Sequence, residues 1–91
     1  MLNNAKEVEI IPIAERKLAR RGIKKELVEN TILYPTQIVD GYGGRKVAHK
    51  KVSLDNKEYL LRVVYEEEST KYVVVTTYLT SKIDRYWKEG E

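Results

Sequence analysis

The sequence predicts an α+β fold: two N-terminal helices packed on one face of a four-stranded antiparallel sheet, followed by a short C-terminal helix. Three observations carry this expectation. Apolar residues recur at intervals of three and four up to Pro35 and at intervals of two beyond it, which is the change from helical to strand periodicity. The connectors between the later segments are short and rich in turn formers, as antiparallel hairpins require. The chain has 91 residues, 42% hydrophobic and 34% charged, which suits a single domain over residues 1–91 built on one core.

Each element has its own signal. Between Ile11 and Arg21, the residues Ile13, Ala14 and Leu18 fall at helical spacing, and Gly22 stands where a left-handed residue closes a helix. Lys24 to Leu33 forms the second helix, with Leu27, Val28, Thr31 and Ile32 on one stripe. Pro35 ends it by disfavouring the helical conformation at Tyr34. Four segments rich in β-branched and aromatic residues follow: Thr36 to Asp40, Arg45 to Ser53, Lys57 to Glu66 and Lys71 to Thr80. Gly41-Tyr42-Gly43-Gly44, Asp55-Asn56 and Glu67-Glu68-Ser69-Thr70 join them. Ser81 with Asp84 three residues on has the form of a capping box for a tail helix through Asp84 to Trp87.

Strand alternation sorts the residues by face. Tyr59, Leu61, Val63 and Tyr65 point one way and Leu60, Arg62 and Val64 the other. In the last strand Val73, Val75, Thr77 and Leu79 form the more apolar set, opposite Tyr72, Val74, Thr76 and Tyr78. Arg62, Thr76 and Tyr78 are thus expected on a face that the helices leave open. In the second strand, a core register through Ala48 and Val52 places Arg45, His49 and Lys51 on that open face. The reverse register exposes Lys46 and Lys50, and the first is preferred.

Composition excludes much chemistry. Without cysteine there is no disulfide, no thiolate metal site and no cysteine nucleophile, and His49 alone cannot make a multi-histidine metal site. No cofactor is expected. The longest aliphatic runs are Val73-Val74-Val75 and Leu60-Leu61, too short for a signal peptide core or a membrane span, so a cytoplasmic location without membrane contact is expected. The excess of Lys, Glu, Ile, Val and Tyr over Gln, Met and Cys resembles a heat-adapted composition.

The net charge of +3 is spread unevenly. Arg16, Lys17, Arg20, Arg21, Lys24 and Lys25 crowd the first helix and its end, and Arg45, Lys46, Lys50 and Lys51 crowd the second strand. Such clusters suit a phosphate backbone, although the plain reading of the helical run is a solvated surface. Cleaving RNA without a metal needs activation of a 2′-hydroxyl, a proton for the leaving oxygen and positive charge on the phosphorane. Arg62, Lys51, His49 and Tyr78 supply those functions if they converge. Tyr78, Tyr86 and Trp87 are candidates for base stacking, with docking of the tail on the sheet the simpler role for Trp87. Gly41 to Gly44 lacks the Lys-Ser/Thr of a phosphate-binding loop and reads as a turn.

Several segments together resemble a prokaryotic family of domains of unknown function, DUF4258. They are Pro12-Ile13-Ala14, Arg21-Gly22-Ile23, Tyr34-Pro35, Gly41-Tyr42-Gly43 with Arg45-Lys46-Val47, and Tyr59-Leu60-Leu61-Arg62-Val63. Val74-Val75-Thr76 then leads through Tyr78-Leu79-Thr80-Ser81-Lys82-Ile83 to Tyr86-Trp87. The resemblance implies membership of the superfamily of barnase, EndoU, colicin and RelE nucleases. It also implies a toxin-type ribonuclease acting on RNA, free or ribosome-bound, with a small antitoxin protein as partner. Arg62, Thr76 and Arg45 match the family pattern. Members usually carry a histidine where this chain has Ile13, so protons would pass instead through His49, Lys51 or Tyr78. The alternatives are a toxin-like RNA- or protein-binding module that has lost its chemistry with that histidine, and an interaction domain that pairs with a partner or forms a homodimer.

Overall fold

The computed structural model describes residues 6–87. Its element order is β1 (Glu7–Ile10), α1 (Pro12–Arg21), α2 (Lys25–Leu33), β2 (Gln37–Asp40), β3 (Lys46–Leu54), β4 (Lys57–Glu67), β5 (Lys71–Thr80) and α3 (Ile83–Tyr86). The five strands form one mixed sheet in the order β1-β5-β4-β3-β2. β2 to β5 make the expected antiparallel meander. The fifth strand corrects the expectation of four: β1 pairs in parallel with β5, Glu7 opposite Lys71 and Ile10 opposite Val74.

Local chemistry accounts for the ends of the elements. Gly22 closes α1 with a φ of 69°, and the N–H of Ile23 reaches the Leu18 carbonyl at 3.0 Å, the doubled closure that needs a left-handed residue. Asp55 and Asn56 turn from β3 into β4 with φ of 52° and 64°, the pair of positive angles of a two-residue hairpin. The capping box at Ser81 does not form. Lys82 is the residue at the N-cap of α3 and makes no side-chain cap, while Thr80 Oγ1 accepts from the Lys82 N–H at 3.0 Å.

The core lies between the helices and one face of the sheet. Ala14 and Leu18 of α1 and Val28 and Ile32 of α2 meet Ala48, Leu61, Val63, Tyr65 and Val74. Ile13, grouped with Ala14 and Leu18 by its spacing, is instead half exposed, because it falls off the Ala14–Leu18 stripe that α1 turns inward. In β5 the expected faces hold only for the second half. Thr76 pairs with Val64 but Val74 with Tyr65, so Val75 is an extra residue and the register shifts. The bulge turns Val74 into the core, and Tyr72 follows, with its ring edge-on to Tyr65 at 5.5 Å.

The second face of the sheet is not open as expected. The chain after β5 returns across it, and Trp87 stacks on His49 with ring centroids 6.3 Å apart. Val47, His49 and Leu60 on this face are buried.

Candidate functional site

One rung of side chains crosses four strands on that second face. Gln37 of β2 stands opposite His49 of β3, His49 opposite Arg62 of β4, and Arg62 opposite Tyr78 of β5. Directly opposed residues put their side chains on the same side of the sheet, so the register alone aligns the four. Hydrogen bonds run along the rung. Arg62 Nε donates to His49 Nε2 at 3.0 Å, and Arg62 Nη1 donates to the Tyr78 hydroxyl. His49 Nδ1 faces Gln37 Oε1 at 3.4 Å.

These contacts fix the protonation of His49. A guanidinium can only donate, so Nε2 must be the bare nitrogen and the proton sits on Nδ1, towards the Gln37 oxygen. Burial, with the Arg62 charge beside it, lowers the His49 pKa from its ordinary value to about 4. At neutral pH the imidazole is therefore uncharged, fully buried, and has its lone pair engaged by Arg62. In this arrangement it positions Arg62 rather than exchanging protons with a molecule from solvent.

Arg62 itself is half-buried and surrounded by neutral groups. The Tyr86 ring centre lies 3.9 Å from its guanidinium carbon and the Tyr78 ring centre 5.2 Å away. Among the described residues no carboxylate pairs with it. Lys51, two residues along β3 from His49, places its ammonium 4.4 Å from the Trp87 ring centre. Beside this cluster lies an open groove of about 450 Å³ lined by Ile38, Val39, Asp40, Arg62, Arg85 and Tyr86.

The structure brings some of the sequence-derived candidates together and separates others. Arg62, Tyr78, His49 and Lys51 converge, and Thr76 lies on the same face opposite Val64. Arg45 is four residues from His49 and so roughly 13 Å along the strand direction. Its Nε is bound to Glu66 at 2.9 Å, outside the cluster. Lys46 pairs with Asp40 at 2.9 Å. Lys50, opposite Leu61, belongs to the helix-facing side. Arg16, Arg20 and Arg21 sit on α1, in the layer behind the sheet, and Arg21 is bound to the Thr77 carbonyl at 2.5 Å. The helical basic cluster and the Arg62 cluster are thus on opposite sides of the molecule. Sequence reasoning missed Gln37, Asp40 and Arg85. Arg85 had a readable signal, a cation beside Tyr86-Trp87 in the tail.

Among the described residues no helix is long and apolar enough to cross a membrane. The sequence profile of a family described as a domain of unknown function, DUF4258, matches residues 14–79. The chain belongs to the DUF4258 family. No curated protein and no solved structure matches it. The DUF4258 match runs from α1 to the end of β5 and so contains His49, Lys51, Arg62, Thr76 and Tyr78, while Arg85, Tyr86 and Trp87 lie beyond it.

Proposed function

We propose that this DUF4258 protein is a metal-independent endoribonuclease of toxin type, which holds a backbone phosphate of RNA on Arg62 and moves protons through Tyr78 and Lys51. Arg62 is the observation that carries the reading. A half-buried guanidinium whose hydrogen bonds go to two neutral acceptors keeps its full charge, and that charge is costly to bury unless an anion meets it. Arg85 adds a second cation to the same groove.

In the reaction the 2′-oxygen attacks the adjacent phosphorus, the bond to the 5′-oxygen breaks, and a cyclic phosphate and a free 5′-hydroxyl result. Arg62 and Arg85 stabilise the charge on the pentacoordinate phosphorane. The 2′-hydroxyl proton passes to the departing 5′-oxygen by relay through the Tyr78 hydroxyl, held against Arg62, and the Lys51 ammonium, each giving up one proton as it takes another, with His49 fixing the arginine between them. Helices on one side of an antiparallel meander suit the barnase- and RelE-like nucleases that the sequence resembles, and a small antitoxin covering the Arg62 face would be the matching partner. Ile13 lies on α1, in the layer behind the sheet, so the absence of a histidine there leaves the Arg62 face intact.

The test is incubation of the purified protein with total RNA in EDTA. Defined fragments are expected from the wild type, with cleavage reduced about 10²-fold or more in Arg62→Ala, the scale of losing a principal charge-stabilising donor. Cleavage abolished by EDTA, or unchanged in Arg62→Ala, would overturn the reading. The neutral, enclosed state of His49 favours one second reading, an RNA-binding module without chemistry. That module would bind RNA in a salt-dependent way and leave it intact.

A further inference from the structure

β2 is the outer strand of the sheet on the side away from β1, and its flanks carry most of the exposed apolar surface. Six large apolar side chains are exposed among the described residues, and four of them, Leu33, Tyr34, Ile38 and Tyr42, lie within ten residues that run from the end of α2 through β2 into the turn before β3. Edge strands are ordinarily guarded by charge or covered by another element. The opposite edge has that guard, with Glu9 paired to Lys71 and Lys6 to Glu67. Between Leu33 and Tyr42 the one charged side chain is Asp40, and Lys46 neutralises it at 2.9 Å.

The backbone of β2 is turned for pairing at Ile38. The Gly41 N–H reaches the Arg45 carbonyl at 2.7 Å, which sets the phase of the β2–β3 ladder, so that Gly41, Val39 and Gln37 direct their backbone groups to β3. Hydrogen-bonded pairs alternate along an antiparallel ladder, and the N–H and C=O of Ile38 therefore point outward from the sheet edge. The exposed rings are spaced symmetrically about that residue, Tyr34 four positions before it and Tyr42, 94% exposed, four positions after it.

A pattern that reads the same from either end fits its own copy. We infer that β2 pairs antiparallel with β2 of a second copy of this chain, across a two-fold axis at Ile38. The two Ile38 residues exchange N–H to C=O bonds and set their side chains side by side, while Tyr34 of each chain comes to Tyr42 of the other. The contact uses one patch twice, and its single carboxylate is already paired within each chain, so like charges do not hold the copies apart. It stops at two copies, because the outer strands of the joined sheet are then the charged β1 strands. The four apolar residues expose roughly 500 Å² per copy, most of it on the two tyrosines, and with the strand backbones a pair of copies buries about the 1,200 Å² at which specific interfaces begin.

A chain without cysteine makes the register directly testable. Ile38→Cys puts one thiol on the axis, about 5.5 Å from its copy between Cα atoms and within disulfide reach. Mild oxidation is expected to cross-link this variant at least about tenfold faster than Leu54→Cys, whose position at the end of β3 is comparably exposed. Sedimentation equilibrium of the wild type should give twice the chain mass at about 100 μM. Ile38→Lys sets two ammonium groups against each other on the axis and should raise the dissociation constant at least about tenfold. Circular dichroism of each variant establishes that it is folded. A wild type that stays monomeric at about 100 μM, a dimer equally strong in Ile38→Lys, or equal cross-linking of the two cysteine variants would overturn the pairing. None of these readouts involves RNA, so the Arg62 reading stands or falls separately.

Discussion

Lowering the pH from about 7.5 to about 5.5 should destabilise this protein through one side chain, because His49 is its single histidine and is buried in the neutral form. The native pKa of about 4 lies below the ordinary value of 6.5, so the unfolded chain takes up the proton first and stability falls as the pH drops below about 6.5. Proton linkage over those two pH values amounts to about 1.3 kcal/mol, and the loss levels off near 3 kcal/mol, on the order of 2.5 pH units at 1.36 kcal/mol each, below about pH 4. For a domain of this size a change of about 1.3 kcal/mol lowers the melting temperature by roughly 5–10 °C. Urea or thermal unfolding of the wild type and His49→Gln at both pH values isolates the effect. The variant, whatever its absolute stability, lacks the imidazole and should lose this part of the pH dependence while keeping that of the carboxylates. An equal pH dependence in the two proteins, or a native-state NMR titration of the His49 ring with a midpoint above about pH 6, would refute the assignment of a neutral imidazole held by Arg62.

Three further outcomes follow from the packing. Trp87→Ala removes the stack on His49 and the cation–π contact with Lys51, and should cost about 1–2 kcal/mol in chemical denaturation while leaving the far-UV spectrum unchanged. Leu61→Ala, at a fully buried core position, should cost about 2–5 kcal/mol by the same measurement. Asn56→Gly, at a φ of 64° in the β3–β4 hairpin, should stabilise the protein by up to about 1 kcal/mol, seen as a higher melting temperature.

Local pattern made the helices and the meander legible. The stripe Leu27, Val28, Thr31 and Ile32 and the stop at Pro35 required no knowledge of the partner surface, nor did the alternation through Tyr59 to Tyr65. β1 was hidden because Glu7–Ile10 has two apolar residues and gains its strand partners only from β5, far along the chain, with Glu7 opposite Lys71 and Ile10 opposite Val74. The bulge at Val75 was hidden for a different reason: Val73, Val74 and Val75 are equally apolar, so alternation carries no information about where the face changes. At the candidate site, alternation put Arg62 and Tyr78 on one face, and their convergence with His49 and Lys51 followed from the register. The state of His49 was not readable. Whether a strand histidine is a solvated base or a buried acceptor depends on what lies over it, here Trp87 from the tail.

The parallel pairing of β1 with β5 also orders the events of folding. The hairpins β3–β4 and β4–β5 close through short turns, whereas β1 pairs with β5 alone and must close a loop of more than sixty residues to reach it. Until it arrives, the outer edge of β5 presents unpaired backbone groups beside Val73, Val74 and Val75, a template on which another chain can add. The four residues Glu7–Ile10 therefore cover the valine-rich edge of β5, and Glu9, bound to Lys71, ties the new edge strand to it by an ion pair as well.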